Sequence, residues 1–353
     1  MRIVRWREVD RAGRAEGTGI DVPHRPRLGL QLDPDRDGRG GRILPLDALP
    51  GIADDSLRAR ALGDADLAAL LAADPHLAST RRCLERLGDP GSNPGVVGAG
   101  SARLLAPVHR PSKIVCIGHN YREHVIEQNL PMPDRPMLFA KWPNAIIGDG
   151  DPIVRPEATH ALDLEAELGV VIATTARRVP AEEALAHVAG WTVVNDVSAR
   201  DLQGSRPALG PGERGDGQWV RAKGSDTFLP MGPALVTPDE IDDAGSLAVR
   251  SWRMPVGGGP VAMQDGTTAQ MIFDVAQLIA FISAVITLEA GDVIATGTPS
   301  GVGVFRTPPV FLEPGDVASV AVDGIGRLDN PVTAFDGTVP LGSPAAALLA
   351  GRA

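Results

Sequence analysis

The chain has 353 residues, of which 43% are hydrophobic and 22% charged, and its formal net charge is −10. These values are ordinary for a soluble globular protein and allow one large domain or two. The acidic balance argues against nucleic acid as a partner, because phosphates require a basic surface. It permits an anionic substrate, since a bound divalent cation can reverse the local field.

The cysteines and the apolar stretches bear on where the protein resides. Two cysteines, Cys83 and Cys116, cannot form a disulfide framework and lack metal-type spacing. The first ten residues contain no apolar signal core. The longest apolar stretch, 275–288, is interrupted by Gln277 and Ser283 and is too short to cross a bilayer. We therefore expect a cytoplasmic protein without a membrane partner.

Residues 1–105 are predicted to form a small N-terminal domain with a linker. The stretches MRIVRWREVD and RLGLQL predict strands, and DADLAALLAADPHLASTRRCLERL has helical spacing that breaks at Pro75. The stretch 88–100 is rich in Gly and Pro and predicts the linker or a long surface loop. No cluster of titratable residues stands out here, so a structural or capping role is expected.

Residues 106–353 are predicted to form a mainly β catalytic domain. Strands are expected in KIVCIG, ALDLEAELGVVIATT, GWTVVNDVS, AGDVIATGTP and PGDVASVAVDGIGRLDNPV. Helices are expected in PAEEALAHVAG and in TAQMIFDVAQLIAFISAV, the second being the longest of the chain. No glycine-rich nucleotide-binding motif follows a strand, which argues against a nucleotide cofactor.

The stretch CIGHNYREH, residues 116–124, places the chain's single tyrosine, Tyr121, between two histidines. Its polar character favours a loop or short helix that faces a ligand over a segment of the core. Asn120 followed by Glu123 resembles a capping box. This pattern predicts a short helix that begins there and ends near Pro131.

On such a helix His124 and Glu127 lie at i and i+3 on one face, within reach of each other. A carboxylate that holds an imidazole makes a general base that can activate water. An i, i+3 His–Glu pair by itself is more often a surface ion pair, so both interpretations stay open on spacing alone.

Three acidic residues alternate with apolar ones in LDLEAELG. The strand period of two places Asp163, Glu165 and Glu167 on one face, and Asp196 ends another apolar strand. Neighbouring carboxylates repel unless something positive lies between them. A solvated strand face is the alternative. Hard oxygen ligands without Cys or His at zinc spacing favour Mg²⁺, Mn²⁺ or Ca²⁺ over zinc.

Two further residues are candidates for the chemistry. Lys223, in QWVRAKGSD, follows a Trp-Val pair, and a partly buried lysine suits proton transfer. The alternative is a surface lysine whose apolar stem is buried. The turn ATGTPSGVG offers backbone N–H groups and the Thr298 hydroxyl to a carboxylate or oxyanion. The alternative is a tight turn that needs glycine.

Several separate motifs resemble the fumarylacetoacetate hydrolase family, in particular its branch of acylpyruvases and 2-hydroxyhepta-2,4-diene-1,7-dioate isomerases. In chain order these motifs are IGHNYREH, LDLEAELGVVI, NDVSARDLQ, QWVRAKGSDTFLPMGP, QMIFDVAQLIAFIS and LEAGDVIATGTPSGVG. The resemblance covers roughly residues 104–335, and it rests on the order and spacing of many motifs. It favours a functional role for the acidic residues.

The resemblance implies a mainly β, α+β fold, which is a mixed β-sandwich roll with a smaller N-terminal domain, usually in a homodimer. It implies Mg²⁺ or Mn²⁺, with Ca²⁺ conceivable in a crystal, held by Glu165, Glu167 and Asp196. It implies that His124 and Glu127 form a catalytic dyad on a lid and that Lys223 is an active-site lysine. The positions that match substrate-binding residues are Tyr121, Arg200, Gln203 and Thr298. His119 is a departure, because the family often has arginine there.

The expected activity is divalent-metal-dependent hydrolysis of a C–C bond in a 1,3-dicarbonyl or acylpyruvate-type oxo acid, through an enolate. A decarboxylase, isomerase or lyase that acts on a related oxo acid or a larger metabolite is the alternative among enzymes, because those reactions share the enolate. A non-catalytic, metal-stabilised binding protein is the alternative from another class. Resemblance of fold cannot choose between these activities.

Overall fold

The computed structural model describes residues 1–9, 25–211 and 214–351. The strands in this part of the chain are β1 (Arg2–Glu8), β2 (Arg27–Leu32), β3 (Arg42–Pro45), β4 (Val97–Gly98), β5 (Ala102–Leu105), β6 (Ile114–Gly118), β7 (Met137–Lys141), β8 (Ile146–Ile147), β9 (Ile153–Arg155), β10 (Leu162–Asp163), β11 (Ala166–Ile172), β12 (Val188–Asn195), β13 (Ser198–Ala199), β14 (Leu229–Val236), β15 (Ala248–Met254), β16 (Val261–Thr267), β17 (Val293–Ala295), β18 (Val317–Val322) and β19 (Gly326–Ala334).

The α-helices in the same residues are short. They are α1 (Ser56–Gly63), α2 (Leu67–Ala73), α3 (Ala78–Leu87), α4 (Arg122–Glu127), α5 (Ala181–Ala184), α6 (Arg200–Gln203), α7 (Trp219–Lys223), α8 (Val275–Ser283) and α9 (Pro344–Ala350). None of the helices in the described ranges has the length and apolarity needed to cross a membrane.

Two sheets form the body of the protein. The larger sheet has twelve strands in the order β4-β3-β2-β1-β14-β12-β11-β17-β6-β7, with β5 paired to β1 and β8 paired to β14. The smaller sheet has five strands in the order β16-β15-β18-β19-β9, and β10 and β13 form a separate pair. Strands β11, β12 and β14 pack against β15, β18 and β19. The fold is therefore a mainly β, α+β sandwich, as predicted.

The central strands of the larger sheet are covered on both faces. Every residue of β11, β12 and β14 is buried. A strand that is covered on both faces can be apolar along its whole length, which the sequence of β12, VAGWTVVN, illustrates. A charged side chain on such a strand requires a partner, because burying an unpaired charge is costly.

The first residues of the chain extend the larger sheet. Strand β1 pairs with β14 through Ile3 and Leu235 and, further along the same side, with β5, while β2 lies on its other side. The N-terminal amine donates to the Thr237 hydroxyl and forms an ion pair with Glu240 at 2.8 Å. The N-terminal residues and the later ones thus share one sheet, while the division into domains near residue 105 stays a prediction.

The stretch predicted as a linker, 88–100, is partly ordered into the sheet. It contains β4, whose Val97 pairs with Ile43 of β3. The helical region before it divides as predicted, since α2 ends at Ala73 and α3 begins at Ala78, on either side of Pro75.

The predicted long strand over ALDLEAELGVVIATT was wrong, because it is interrupted. Strand β10 ends at Asp163 and β11 begins at Ala166. Between them, the Glu165 N–H donates to the side-chain oxygen of Asn195 at 3.0 Å instead of to a neighbouring strand. The interruption separates Asp163 from the face that Glu167 occupies on β11.

The helix predicted over 268–285 is also divided. Thr268–Gln270 forms a 3-10 helix, and α8 begins only after Asp274, whose carboxylate caps it by accepting from the Gln277 N–H. With nine residues α8 is shorter than α3, which has ten, so the prediction that it is the longest helix was wrong.

A buried ionic network ties an N-terminal loop to β19. The Arg39 guanidinium lies 2.8 Å from Asp329 and 2.9 Å from Asp149. Burial opposes ionisation of Asp329, but the charge of Arg39 and a hydrogen bond from Ser319 outweigh it, so the pKa of Asp329 is lowered. Removing Arg39 would leave two nearly buried carboxylates without this partner.

We expect Arg39→Met to lower the free energy of unfolding by about 3 kcal/mol, the range for breaking a buried ion pair from one side. Because the folded pKa of Asp329 is depressed, this stabilisation is complete above its unfolded pKa of about 3.9 and is lost as the pH falls through the folded pKa. Urea unfolding at pH 7 and pH 3 measures the difference. Arg36→Met, at an exposed site in the same loop, is the control. An equal loss in both variants would contradict the network.

Candidate active site

Three carboxylates converge where β11 begins and β12 ends. Because the two strands are antiparallel, Ala166 pairs with Asn195, and the residues around this pair become neighbours. Glu165, Glu167 and Asp196 each offer an oxygen within 4.8 Å of the others, and all three are buried. The alternative of a solvated strand face was therefore wrong.

Three cations from distant elements accompany these acids. Lys223, at the end of α7, lies 2.6 Å from Glu165 and 2.8 Å from Asp196. Lys141, at the end of β7, lies 2.5 Å from Asp196, and Arg200 of α6 lies 2.6 Å from Glu165. All three cations are buried, so each holds a carboxylate oxygen in a fixed direction.

Asp163 stands apart from the three converging acids. Its carboxylate accepts from the Arg200 Nε–H at 2.9 Å and from the backbone N–H groups of Gly303 and Val304 at 2.8 and 3.0 Å. Asp163 therefore orients Arg200 and does not complete the acidic cluster.

The protonation of the cluster is uneven. Burial, and then the charges of Asp196 and Glu165, raise the pKa of Glu167 well above its usual range, although the Gly297 N–H donates to it at 2.9 Å. Burial opposes ionisation of Glu165, but Arg200 and Lys223 outweigh it and lower its pKa. The cluster is thus neutralised on the Glu165 side and short of positive charge on the Glu167 side.

The acidic cluster fits a divalent cation. Its ligand set would be the carboxylate oxygens of Glu165, Glu167 and Asp196, which is the hard donor set that Mg²⁺ and Mn²⁺ prefer. A cation there would supply the positive charge that Glu167 lacks. The structure thus gathers all three predicted ligands in one place.

The predicted dyad forms on α4. His124 Nδ1 lies 2.5 Å from Glu127 Oε1, and Glu127 Oε2 accepts from the Gly301 N–H at 2.9 Å. Since an ionised carboxylate only accepts hydrogen bonds, we assign the imidazole proton to Nδ1, which leaves Nε2 as an acceptor. His124 is buried and Glu127 is half-buried, so the alternative of a surface ion pair was wrong.

The helix is anchored differently from the prediction. Its N-cap is Tyr121, without a capping side chain, so the predicted capping box was wrong. The Asn120 side chain instead donates to the carbonyls of Phe273 and Thr296 at 3.0 and 2.8 Å and accepts from the Phe273 N–H. Asn120 thereby joins the start of α4 to the turn after β17.

That turn, TGTPSG, connects the dyad to the acidic cluster. Gly297 donates to Glu167 and Gly301 donates to Glu127. Both glycines are in the left-handed region, at φ 96° and 102°. A Cβ at position 301 would lie 2.3 Å from the Met263 carbonyl oxygen, so glycine is required there. The sequence predicted N–H groups for a carboxylate, and here they serve carboxylates of the protein itself.

A cavity of about 240 Å³ exposes both groups of residues to a ligand. Seven predicted site residues line it, namely His124, Glu165, Glu167, Arg200, Gln203, Lys223 and Thr298. Glu127 and Asp196 do not line the cavity themselves, but they contact His124 and Lys223, which do. Thr298 donates to the Ala166 carbonyl at 2.9 Å, and Gln203 Oε1 accepts from Arg200 at 3.1 Å and from Ser205 at 3.2 Å.

Tyr121 does not line the cavity, which corrects its predicted role as a substrate contact. The residue pairs with Met271 in an isolated bridge, and its ring is fully buried. Burial raises the pKa of its hydroxyl well above the usual value, and the hydroxyl has no hydrogen-bond partner in the described ranges. Tyr121 is therefore a residue of the buried interior, close enough to Glu167 for that carboxylate to add to the rise in its pKa.

Several residues of the site were not predicted. Lys141 ends the otherwise apolar strand MLFAK, and this placement is the sequence signal for the buried lysine that the structure contains there. Of the unpredicted residues that line the cavity, half are apolar or aromatic, and nothing in their local sequence marks them: Ile117, Leu130, Phe139, Trp219 and Phe305. The other half are Gly118, His119, Gln128, Gly204 and Ser205.

Comparison with known proteins gives consistent results. Residues 113–333 match the family described as fumarylacetoacetate (FAA) hydrolase C-terminal. The mitochondrial oxaloacetate tautomerase fahd2 of Xenopus laevis is 42% identical over 309 residues, which is 87% of this chain and 86% of the relative. The mitochondrial oxaloacetate tautomerase FAHD2A of Homo sapiens is 39% identical over 87% of each chain.

Solved structures agree with this match. The 2-hydroxyhepta-2,4-diene-1,7-dioate isomerase from Mycobacterium marinum has a TM-score of 0.63 at 31% identity, covering 95% of this chain and 98% of its own. The fumarylacetoacetate hydrolase of Exiguobacterium antarcticum has a TM-score of 0.68 at 33% identity, covering 94% and 99%.

We expect Glu167→Gln to lower Mg²⁺ affinity by about 100-fold, at the upper end of the effect of losing a residue that only orients a metal ligand. The fold should persist, because the neutral amide avoids the repulsion from Asp196 and Glu165 that contributes to the raised pKa of Glu167. Titration calorimetry and thermal unfolding measure the two quantities. Glu157→Gln, at an exposed position, is the matched control. Unchanged Mg²⁺ affinity in Glu167→Gln would place the metal elsewhere.

Proposed function

The chain belongs to the fumarylacetoacetate hydrolase family, and we propose that it catalyses proton transfer at C3 of a 2-oxo acid. In this reaction the keto and enol forms of a 3-substituted pyruvate interconvert. Oxaloacetate is the first substrate to test, because the Xenopus and human relatives are named for it. The observation that carries the proposal is one cavity that holds both an acidic cluster and an oriented imidazole.

Mg²⁺ or Mn²⁺ is the cofactor in this proposal, held by Glu165, Glu167 and Asp196. A cation at that position supplies a Lewis acid that stabilises negative charge on a substrate oxygen. The protein prepares the position through Lys223 and Lys141, which fix both oxygens of Asp196.

His124 is the proton carrier in this proposal. In the keto-to-enol direction its Nε2 takes a proton from C3 and returns it to the C2 oxygen, and in the reverse direction it takes the enol O–H proton and returns it to C3. The Glu127 carboxylate, 2.5 Å from Nδ1, stabilises the imidazolium that forms in between. Because Gly301 holds the second Glu127 oxygen, the ring keeps one orientation throughout the transfer.

Gln203 and Lys223 suit the substrate's carboxylate. The Gln203 carbonyl oxygen accepts from Arg200 and Ser205, which leaves its amide N–H groups as donors toward the cavity. The Lys223 ammonium adds positive charge beside them. A 2-oxo acid bound this way places its C3 on the side of His124.

Hydrolysis of a C–C bond in an acylpyruvate is the second candidate. It is favoured by the same dyad, because an imidazole with Nε2 as acceptor can take a proton from water as well as from carbon. The two reactions differ in product. Tautomerisation leaves the carbon skeleton intact, whereas hydrolysis of acetylpyruvate releases acetate and pyruvate.

We expect His124→Asn to lower the rate of oxaloacetate enol–keto interconversion by about 10²–10⁴-fold, the usual contribution of a positioned general base. Glu127→Gln should lower it less, since the imidazole remains. The enol's ultraviolet absorbance under saturating Mg²⁺ gives the rates. Glu123→Gln, exposed on the same helix, is the control. A full rate in His124→Asn would refute the dyad's role.

We further expect removal of divalent metal by a chelator to abolish turnover, with recovery on addition of Mg²⁺ or Mn²⁺ but not of Na⁺, because monovalent charge cannot balance the cluster. Acetylpyruvate incubated in parallel, with products separated by mass, tests the hydrolytic candidate. Undiminished turnover in the chelated protein would contradict the metal-dependent proposal.

The remaining expectations concern binding partners, oligomeric state and cellular location. The homodimer, the cytoplasmic location and the lack of nucleic-acid and membrane partners stay predictions. The names of the Xenopus and human relatives assign those proteins to mitochondria. Sedimentation of the purified chain tests the dimer.

A further inference from the structure

The cavity has a wall made of rings. Phe, Trp and Tyr make up only 4% of the chain, yet Phe139, Trp219 and Phe305 all line this one cavity. Together with the imidazoles of His119 and His124 they form a row of five neighbouring rings. The distances between successive ring centroids are 5.3 Å from Phe139 to Trp219, 6.1 Å from Trp219 to His119, 6.4 Å from His119 to His124 and 6.0 Å from His124 to Phe305. We call these five residues the ring wall.

An unusual backbone conformation at His119 places its side chain in the ring wall. Its φ is 54°, in the left-handed region that side-chain-bearing residues seldom adopt. As a result Ile117, Gly118 and His119 all line the cavity, whereas consecutive residues of a regular strand point to opposite faces. Strained backbone that persists next to a ligand cavity indicates a role for the side chain it positions.

The ring wall lacks a formal positive charge. Burial lowers the pKa of the His119 imidazole, which favours its neutral form, and the His124 imidazole carries its one proton on Nδ1, beside Glu127. Among the described residues that line the cavity, the Arg and Lys side chains are Arg200 and Lys223. Both are within 2.9 Å of carboxylates of the protein. A second substrate carboxylate placed against the rings would be desolvated without an ionic partner.

We propose that the ring wall is a subsite for an uncharged, planar substituent on C3 of the 2-oxo acid, and that Trp219 and His119 determine this specificity. Trp219 offers its indole ring to the substituent. His119 offers a hydrogen bond in place of a charge. This inference rests on the proposed function, because it assumes that a 2-oxo acid binds with its C1 carboxylate at Gln203 and Lys223.

Two pyruvates that differ only in the C3 substituent test the subsite. Phenylpyruvate carries a phenyl group and oxaloacetate carries a carboxylate, and the enols of both absorb in the ultraviolet. With Mg²⁺ present, the wild-type protein should have the higher kcat/KM for phenylpyruvate. Trp219→Leu should lower that value about 10-fold, as expected for loss of one aromatic contact, and change the value for oxaloacetate less than about 3-fold.

Substitutions at position 119 test the role of charge. His119→Arg should shift the ratio of the two kcat/KM values toward oxaloacetate by about 10-fold or more, because a guanidinium can pair with the carboxylate. His119→Gln keeps an uncharged hydrogen-bonding group and should leave the ratio near the wild-type value. Trp252→Leu removes an indole from β15, in the other sheet, and is the control for loss of a tryptophan.

The outcomes separate this inference from the proposed function. Turnover of oxaloacetate alone, an equal loss for both substrates in Trp219→Leu, or an unshifted ratio in His119→Arg would each overturn the subsite while the proposed function stands. If the wild-type protein turns over neither compound, the proposed function fails. Calorimetry with phenylpyruvate then decides the subsite: weaker binding to Trp219→Leu than to wild type and Trp252→Leu supports it, and equal binding overturns it.

Discussion

Four acidic side chains inside a β-sandwich set the requirement that the rest of the site meets. An isolated carboxylate in a protein interior costs several kcal/mol, and this cost is offset only by close partners of opposite charge. The partners are three buried cations, Lys141, Lys223 and Arg200. These cations pair with Asp163, Glu165 and Asp196, whereas Glu167 forms no ion pair within the described residues and its pKa is raised well above the usual range, mainly by burial. The cluster therefore suits a small divalent cation, which would supply positive charge beside Glu167.

The turn after β17 couples this cluster to the imidazole. Gly297 donates to Glu167 and Gly301 donates to Glu127, while Asn120 holds the start of α4 against the same turn. A displacement of the turn would therefore disturb the acidic cluster and the dyad together. Backbone N–H groups thus fix the positions of the dyad and the acidic cluster relative to each other. The directions of these N–H groups depend on glycines in the left-handed backbone conformation.

The cavity has two chemically different sides, and its substrate has to satisfy both. One side is ionic and suited to a carboxylate and an oxygen that develops negative charge. The other is formed by rings and suited to an uncharged group. A molecule with an oxo acid at one end and an apolar or planar group at the other fits this division, which is why family membership by itself does not name the substrate.

The sequence by itself determined the features that depend on local spacing. A helical period places His124 and Glu127 together wherever α4 lies, and the stretch LDLEAELG supplies two of the ligands, Glu165 and Glu167, only two positions apart where β11 begins. Tertiary structure alone decided the features that depend on sheet register and packing. Asp163 pairs with Arg200 and does not join the other three acids. Tyr121 is buried in the core, and Lys141 pairs with Asp196, which is 55 positions away in the chain. The ring wall likewise takes residues from β7, α7, α4 and the segments that follow β6 and β17. Such partners are distant in sequence, and their pairing is fixed by which strands lie next to each other, which local propensity does not encode.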